Sequence, residues 1–519
     1  MQNSPLPSFW FFIFLISSIL IRTDGGEATN GDNKVIRIGA IVDSNSRIGK
    51  EQQIAMEIAA QNYNNTSNTH KLALYFQNPT NEPFTTTSLA EELIEKQKVQ
   101  VIIGTQTWQE ATIMAGIGSK TQVPIISFAS PAITPPLTPK RWPYLIRLSN
   151  NVTAHINCIA DIVHSFTWQR VIAIYEDDAY GGGDYGMLQL LSESLQHFGS
   201  MIEYRLALPP LSLLSDPSML IQQELVKLVK QTQSRVFIVL HSSLEMVNFL
   251  FREASQIGLV DRDSAWIIPE SITNVMDSVD KSGISYMEGS LGIKTYYVEN
   301  SSQYKDFQGQ FRRRFRAKNP EEDNINPGFY ALQAHDSIKI VIQALEKMAS
   351  TRSDLLREIL SSNFHGLSGD IHFEEGQLLQ NPTLRVVNVV GKSYKEIEFW
   401  TQEVGFFTGD DAKSSTQGLG GVVQWPGNLP RNPKGWKMPI KQKPMRIAIP
   451  GRTAFSKFVK VVYGENPAEN EYTGFCIEIF KMVLDLLEYD LPYEFHPLNV
   501  TYPDLVQLVY NKVTSLCFN

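Results

Sequence analysis

Cysteine is nearly missing from this chain, with three residues in 519: Cys158, Cys476 and Cys517. Three scattered thiols build neither a disulfide framework nor a metal cage. Cys158 and Cys476 sit in apolar helical patterns, where a buried thiol acts as a small hydrophobe. Histidine is sparse too: the nine residues show no H-E-x-x-H spacing, and His365 and His372 fit no metal pattern. No G-x-S-x-G elbow, P-loop or C-x-x-C occurs. Positive charge is in deficit, 46 Lys and Arg against 54 Asp and Glu for a net charge of -8. That excludes the clustered basic excess that nucleic-acid phosphates require. The one basic run, Arg312-Arg313-Arg314-Phe315-Arg316, is followed by Glu321-Glu322-Asp323 and reads as a solvated helix face. No catalytic residues, metal ligands or cofactors are therefore assigned, and a binding protein is expected rather than an enzyme.

Long apolar runs are also lacking, with one exception. Phe9 to Ile21 has the length of a signal-peptide core and falls short of the roughly 20 residues that span a bilayer. Arg22-Thr23-Asp24-Gly25-Gly26 follows with small residues suited to cleavage, so 1–26 reads as a signal peptide. An uncleaved anchor is the alternative, since no Lys or Arg precedes the run. No later segment is apolar enough to cross a membrane, which predicts a soluble ectodomain on the secretory route. Asn64, Asn65, Asn151, Asn300 and Asn499 open Asn-x-Ser/Thr sites and are the candidate glycan acceptors there.

What is present is alternation. Val35 to Val42 reads as a strand, Gly49 to Tyr63 as a helix, Lys71 to Phe76 as a strand, Ser88 to Lys96 as a helix. Val101 to Gly104 and Pro124 to Phe128 are further strands around the helix Glu110 to Ile117. Strand and helix in turn imply right-handed crossovers and a parallel sheet covered on both faces. The proline-rich stretch 129–143 breaks the rhythm and reads as a crossing loop. After it the pattern repeats from Trp168 to Pro269, predicting two α/β lobes with a cleft between them. Residues 408–443, rich in Gly, Pro, Ser, Lys and Trp and without a period, read as a linker. Residues 444–519 are too few to close a second core alone.

In an open parallel sheet, ligands meet the loops that leave the carboxyl ends of the strands. Those loops carry Gly104-Thr105-Gln106-Thr107, Ser127 to Ser130, Tyr180 and Pro269-Glu270-Ser271. Hydroxyls and helix amides suit a carboxylate and an acidic side chain suits an ammonium group, which together fit a zwitterionic amino acid. Helix capping is the competing reading for Thr105 and Ser130. Gly181, Gly183 and Gly186 spell G-x-G-x-x-G, with Glu203 placed as a ribose-binding acid. Five residues separate the first glycine from its strand, however, too many for a dinucleotide turn.

Val101-Ile102-Ile103-Gly104, Pro124-Ile125-Ile126-Ser127-Phe128, the run from Ser130 to Leu148 and the loop from Glu176 to Gly186 resemble the amino-terminal domain of plant glutamate receptor-like channels. Trp425-Pro426-Gly427, Gly435 to Pro439, Tyr472 to Ile477 and Tyr502 to Leu505 are similar to the start of that family's second ligand-binding domain. The resemblance implies an α/β, bilobal periplasmic-binding-protein-like (Venus-flytrap) domain over 35–403, a linker over 404–443 and an incomplete first segment of the glutamate-receptor ligand-binding domain over 444–519. It places Thr105, Gln106, Ser130, Tyr180 and Glu270 near ligand-contacting positions. It also implies amino-acid or small-peptide ligands, other glutamate receptor-like subunits as partners, and the extracellular side of the plasma membrane, reached through a pore region that this chain lacks. A secreted solute-binding protein acting as a free amino-acid binder is the alternative. An α/β oxidoreductase using the glycine loop is a weaker one.

Overall fold

Two large sheets hold most of the strands, and the chain passes between them three times among the described residues. The computed structural model describes residues 34–79, 85–129, 138–149, 152–177, 186–261, 263–276, 281–351, 354–409, 415–416, 418–436, 439, 444–452, 456–466, 470–487, 491–510 and 515–517.

Lobe one begins with β1 (Lys34–Ile41), α1 (Arg47–Thr66), β2 (His70–Gln77), α2 (Thr85–Glu95), β3 (Val101–Gly104), α3 (Trp108–Thr121), β4 (Ile125–Ser127), α4 (Thr138–Arg141) and β5 (Leu145–Arg147). Lobe two follows as α5 (Val152–Ser165), β6 (Arg170–Glu176), α6 (Met187–Gln196), β7 (Met201–Leu208), α7 (Pro217–Gln231), β8 (Val236–His241), α8 (Leu244–Gln256), β9 (Ala265–Ile268), α9 (Glu270–Thr273), α10 (Lys281–Tyr286) and β10 (Leu291–Thr295). The chain returns to lobe one through α11 (Ser302–Lys318), α12 (Phe329–Thr351), α13 (Leu355–Leu360), β11 (Asn363–His365), β12 (Asp370–Glu374) and β13 (Gln377–Leu378). It then rejoins lobe two as β14 (Leu384–Val390), β15 (Ser393–Thr401), β16 (Gly405–Phe407) and β17 (Ser415–Thr416).

The parallel cores run β2-β1-β3-β4-β5 in lobe one and β7-β6-β8-β9-β10 in lobe two, so one winding occurs twice. In each, the order reverses beside the first strand, which opens a crevice at the carboxyl ends of the strands. Both faces of each sheet are covered. That is why β3 and β9 are apolar and buried throughout rather than alternating. In lobe one, α1 starts where the Ser46 hydroxyl accepts the Gly49 N–H at 3.1 Å, and it lays Ile54 and Ile58 against Ile338 and Val341 of α12. Each such side chain contributes about 1.5–3 kcal/mol of burial. In lobe two, Ile156, Ile159 and Val163 of α5 pack on one sheet face, and Leu225, Leu250 and Phe251 on the other.

Two sequence expectations change. The stretch 129–143 does not carry the first crossing: Arg147 of β5 pairs with Ser127 of β4, so the chain is still in lobe one at β5 and leaves only after it. A three-residue strand is too short to show a period. The linker expected over 404–443 opens as β16 and β17, two more antiparallel strands of the lobe-two sheet. Residues 418–436 are then fastened along that lobe: Trp425 is buried against Phe166 and Trp168, and Arg431 grips Asp263 with two bonds of 2.6 and 3.0 Å. Aperiodic chain of this kind is held by isolated anchors, which a periodicity reading misses.

Beyond it lie β18 (Met445–Pro450), β19 (Lys460–Val462), β20 (Glu471–Thr473), α14 (Phe475–Asp485), β21 (Tyr493–Leu498), α15 (Tyr502–Tyr510) and β22 (Leu516–Cys517). β18 lies between β21 and β22 in a small parallel sheet. An open groove of about 960 Å³ here is lined by Tyr463, Asn470, Tyr472, Lys481, Tyr493 and His496. It shares no residue with the charged cluster between the lobes described next, where the chemistry is more sharply defined.

Candidate ligand site between the lobes

Glu270 opens α9 directly after β9, at the carboxyl edge of the lobe-two sheet. Its Oε2 lies 2.8 Å from Nε2 of His155, an ion-pair distance, and its Oε1 accepts the Thr295 N–H at 2.9 Å. Both side chains are largely covered, 20% exposed for Glu270 and 12% for His155. Burial pushes the Glu270 carboxyl up, but the His155 imidazolium and the Thr295 bonds together outweigh it and hold the group at about 2. His155 stands in the first turns of α5, just past the first crossing, and Thr295 ends β10, just before the second. The contact thus ties two crossing ends together.

The cluster continues into lobe one. Tyr330, on α12, has its hydroxyl pKa raised by burial and by the negative charges of Glu270 and Glu51. Glu51, buried on α1, pairs with Arg47 at 2.8 Å and accepts the Gly328 N–H at 3.0 Å. Its carboxyl is pushed up by burial, partly offset by Arg47, the Gly328 N–H and Lys294. Lys294, buried on β10 of lobe two, donates to the Tyr394 hydroxyl at 2.8 Å. Charges of both signs from both lobes therefore act on one another across the crossings.

In lobe one, Gly104 ends β3 with φ +143, and a Cβ there would sit 2.1 Å from the Ile41 carbonyl oxygen. The next residue, Thr105, is held at φ 65, where a β-branched side chain is strained. Its hydroxyl lies 2.7 Å from that of Ser127, which also accepts the Ala129 N–H. Thr105 is buried and Gln106 exposed. The capping reading of Thr105 does not hold: the cap of α3 is Thr107, in a reciprocal capping box with Glu110. Among the described residues no hydrogen bond joins Thr105 to Glu270. The two occupy carboxyl edges of different sheets.

Ser130, Tyr180 and Asn151 lie outside the described residues. Glu176, the last residue of β6, has a carboxylate that accepts from the Leu211 N–H and from the Ser243 N–H and hydroxyl. Glu203 stands near the start of β7, not its end, and accepts the Gln233 and Ser234 N–H groups, so it does not occupy the position of a ribose-binding acid. Asn65, Asn300 and Asn499 are exposed, whereas the Asn64 amide both donates to and accepts from the Leu72 backbone. The sequence reading missed His155, Glu51, Lys294 and Tyr330. A lysine inside the otherwise uncharged strand Leu-Gly-Ile-Lys-Thr was the readable signal.

Comparison with known proteins bears on the family and the fold. Residues 51–392 match the family model of the receptor family ligand binding region. Among curated relatives, Glutamate receptor 2.2 of Arabidopsis thaliana is 28% identical over 550 aligned residues, covering 98% of this chain and 57% of that protein. Glutamate receptor 2.9 of the same plant is 30% identical, covering 92% of this chain and 52% of that protein. The chain thus spans about half the length of these relatives. Two solved structures share the fold. One is a solute-binding protein of an ABC transporter from Rhodopseudomonas palustris with 3,4-dihydroxybenzoic acid, at TM-score 0.56 and 20% identity, covering 71% of this chain and 97% of that one. The other is a branched-chain amino acid substrate-binding protein from Streptococcus pneumoniae with isoleucine, at TM-score 0.55 and 17% identity, covering 71% and 99%.

Fold and site define a bilobal, periplasmic-binding-protein-like receptor module. The chain belongs to the receptor family ligand-binding region family and is a plant glutamate receptor-like protein.

Proposed function

We propose that the two lobes bind an amino acid or small peptide between them and close on it, as the extracellular ligand-binding and assembly portion of a glutamate receptor-like, ligand-gated, non-selective cation channel. The carrying observation is the doubled winding with charge coupling across it: Glu270 and Lys294 of lobe two act on Tyr330 and Glu51 of lobe one. A ligand that contacts the closed arrangement better than the open one shifts the population toward closure. In this reading Thr105, Gln106 and Ser130 take the ligand's carboxylate, Tyr180 covers it, and Glu270 takes its ammonium group. The isoleucine-bound and dihydroxybenzoate-bound structures of the same fold support a small carboxylate-bearing ligand. Among the described residues no helix is long and apolar enough to cross a membrane.

Thermal-shift screening of the full chain against the twenty amino acids tests this. A ligand at a hundred times its Kd adds about 2.7 kcal/mol, and Glu270→Gln and Tyr180→Ala should abolish that gain. Unchanged binding by both variants would refute the cleft. A free amino-acid binder of the secretory route is the second reading, favoured by the near-complete coverage of stand-alone binding proteins.

A further inference from the structure

Glu270 is already occupied. One carboxylate oxygen meets His155 at 2.8 Å and the other takes the Thr295 N–H, so the acid assigned to an incoming ammonium group is neutralised from within. His155 and Glu270 lie on different helices, α5 and α9, and their contact closes the carboxyl edge of the lobe-two sheet at the crossings. The other titratable groups of the cluster lie on the neighbouring elements described above, and of them Tyr330 feels the Glu270 charge directly. They are Glu51 and Arg47 on α1, Lys294 on β10, Tyr330 on α12, and Tyr394 on β15 behind Lys294. Arg47 pairs with Glu51, the Lys294 charge acts on Glu51, and the Lys294 ammonium donates to the Tyr394 hydroxyl. Among the described residues His155 is the cation at ion-pair distance from Glu270.

We infer that His155 is a built-in, proton-dependent competitor for the ammonium group of an amine-bearing ligand. While the imidazole is protonated it holds Glu270; an ammonium group that takes its place expels the His155 proton to solvent, leaving a neutral imidazole and a new ammonium–carboxylate pair. This rests on the reading that the cleft takes amino acids. It adds that binding is coupled to release of one proton and strengthens as pH rises for as long as the imidazole of the free protein is protonated. A ligand lacking the amine leaves the pair intact and binds without proton release.

Calorimetric titration of the full chain with L-isoleucine tests the coupling, in two buffers of different ionisation heat at about pH 5 and about pH 8. The expected result is close to one proton released per isoleucine at the lower pH and an affinity that rises up to roughly tenfold per pH unit below the imidazole pKa. His155→Gln should release none and bind better than wild type at low pH, and the des-amino acid should show no coupling. Isoleucine binding without proton release overturns the inference. A ligand-free measurement separates this from failure of the amino-acid reading. Melting temperatures of wild type, His155→Gln, Glu270→Gln and the double variant form a cycle at the same two pH values. A coupling of roughly one to several degrees at low pH that vanishes at high pH supports the competitor, even if isoleucine does not bind. Equal coupling at both pH values, or none, overturns it.

Discussion

The indole N–H of Trp168 donates to the carbonyl oxygen of Pro433 at 2.9 Å, closing a loop of 265 residues. Around that bond Trp425 stacks edge-on to both Phe166 and Trp168, with centroids 5.0 and 5.8 Å away. Asn388 brackets Gln424, accepting its N–H and donating to its carbonyl. Gly435 is needed beneath: its φ is +77, and a Cβ there would lie 2.6 Å from the Trp168 ring. The segment that leaves lobe two is therefore part of that lobe's core.

Trp425→Ala should cost about 3–5 kcal/mol, the usual range for emptying a large aromatic site. Hydrogen exchange checks where the loss falls. The Leu419 and Gln424 amides, which donate to Ser165 and Asn388, should lose protection first, while β1 and β3 amides of lobe one keep theirs. Uniform loss across both lobes would show that the segment is not a local clamp.

At the edge of lobe one, Gly104→Ala places a methyl group into the Ile41 carbonyl at a φ that only glycine adopts comfortably. A destabilisation of about 3 kcal/mol or more is expected by chemical denaturation. Thr105→Val keeps the shape and removes the hydroxyl from Ser127, whose own bond to the Ala129 N–H remains. Its cost should be about 1 kcal/mol. If Thr105 also serves a ligand carboxylate, its effect on affinity will exceed its effect on stability.

These two sites show what a sequence makes readable. β3 and the Gly-Thr turn after it are legible because four consecutive apolar residues ending in glycine mark a buried strand and its exit. Glu270 is legible by the same rule, lying just beyond β9. His155 is not, because it stands within an amphipathic helix where nothing local distinguishes it from a solvated polar position. Its partner is 115 residues away, a relation that period and composition do not encode. The Trp425 clamp is hidden for a related reason, since its bonds run from side chains to distant backbone and leave no repeat. Three-residue β5 fails on length alone.

Acid should expose the Glu270 arrangement directly. The carboxyl is held at about 2 against an ordinary 4.5, so its contribution to stability is present above the unfolded value and is lost as pH falls through the folded one. Glu51, Asp161 and Glu398 are raised by burial and act with the opposite sign, giving up stability as pH rises through their folded values. The difference between wild type and Glu270→Gln isolates the first effect. That difference should be greatest above pH 4.5 while His155 is still protonated, and shrink steadily toward pH 2 in acid unfolding curves. A difference independent of pH would mean that Glu270 stabilises by packing rather than by charge.

Cys158 offers a clock for the helix that carries His155. Its side chain is fully buried three residues further along α5. Burial, aided by the nearby Asp161 charge, pushes its thiol well above the ordinary range, so the native state holds almost no reactive thiolate. A thiol reagent should therefore modify partly exposed Cys476 quickly and Cys158 only when α5 opens, with the labelling rate proportional to the open population. Below the imidazole pKa, His155→Gln should speed Cys158 labelling by removing the tie to Glu270, and above it the two proteins should label alike. Rapid modification of native Cys158 at neutral pH would show that α5 is not held in the way its contacts describe.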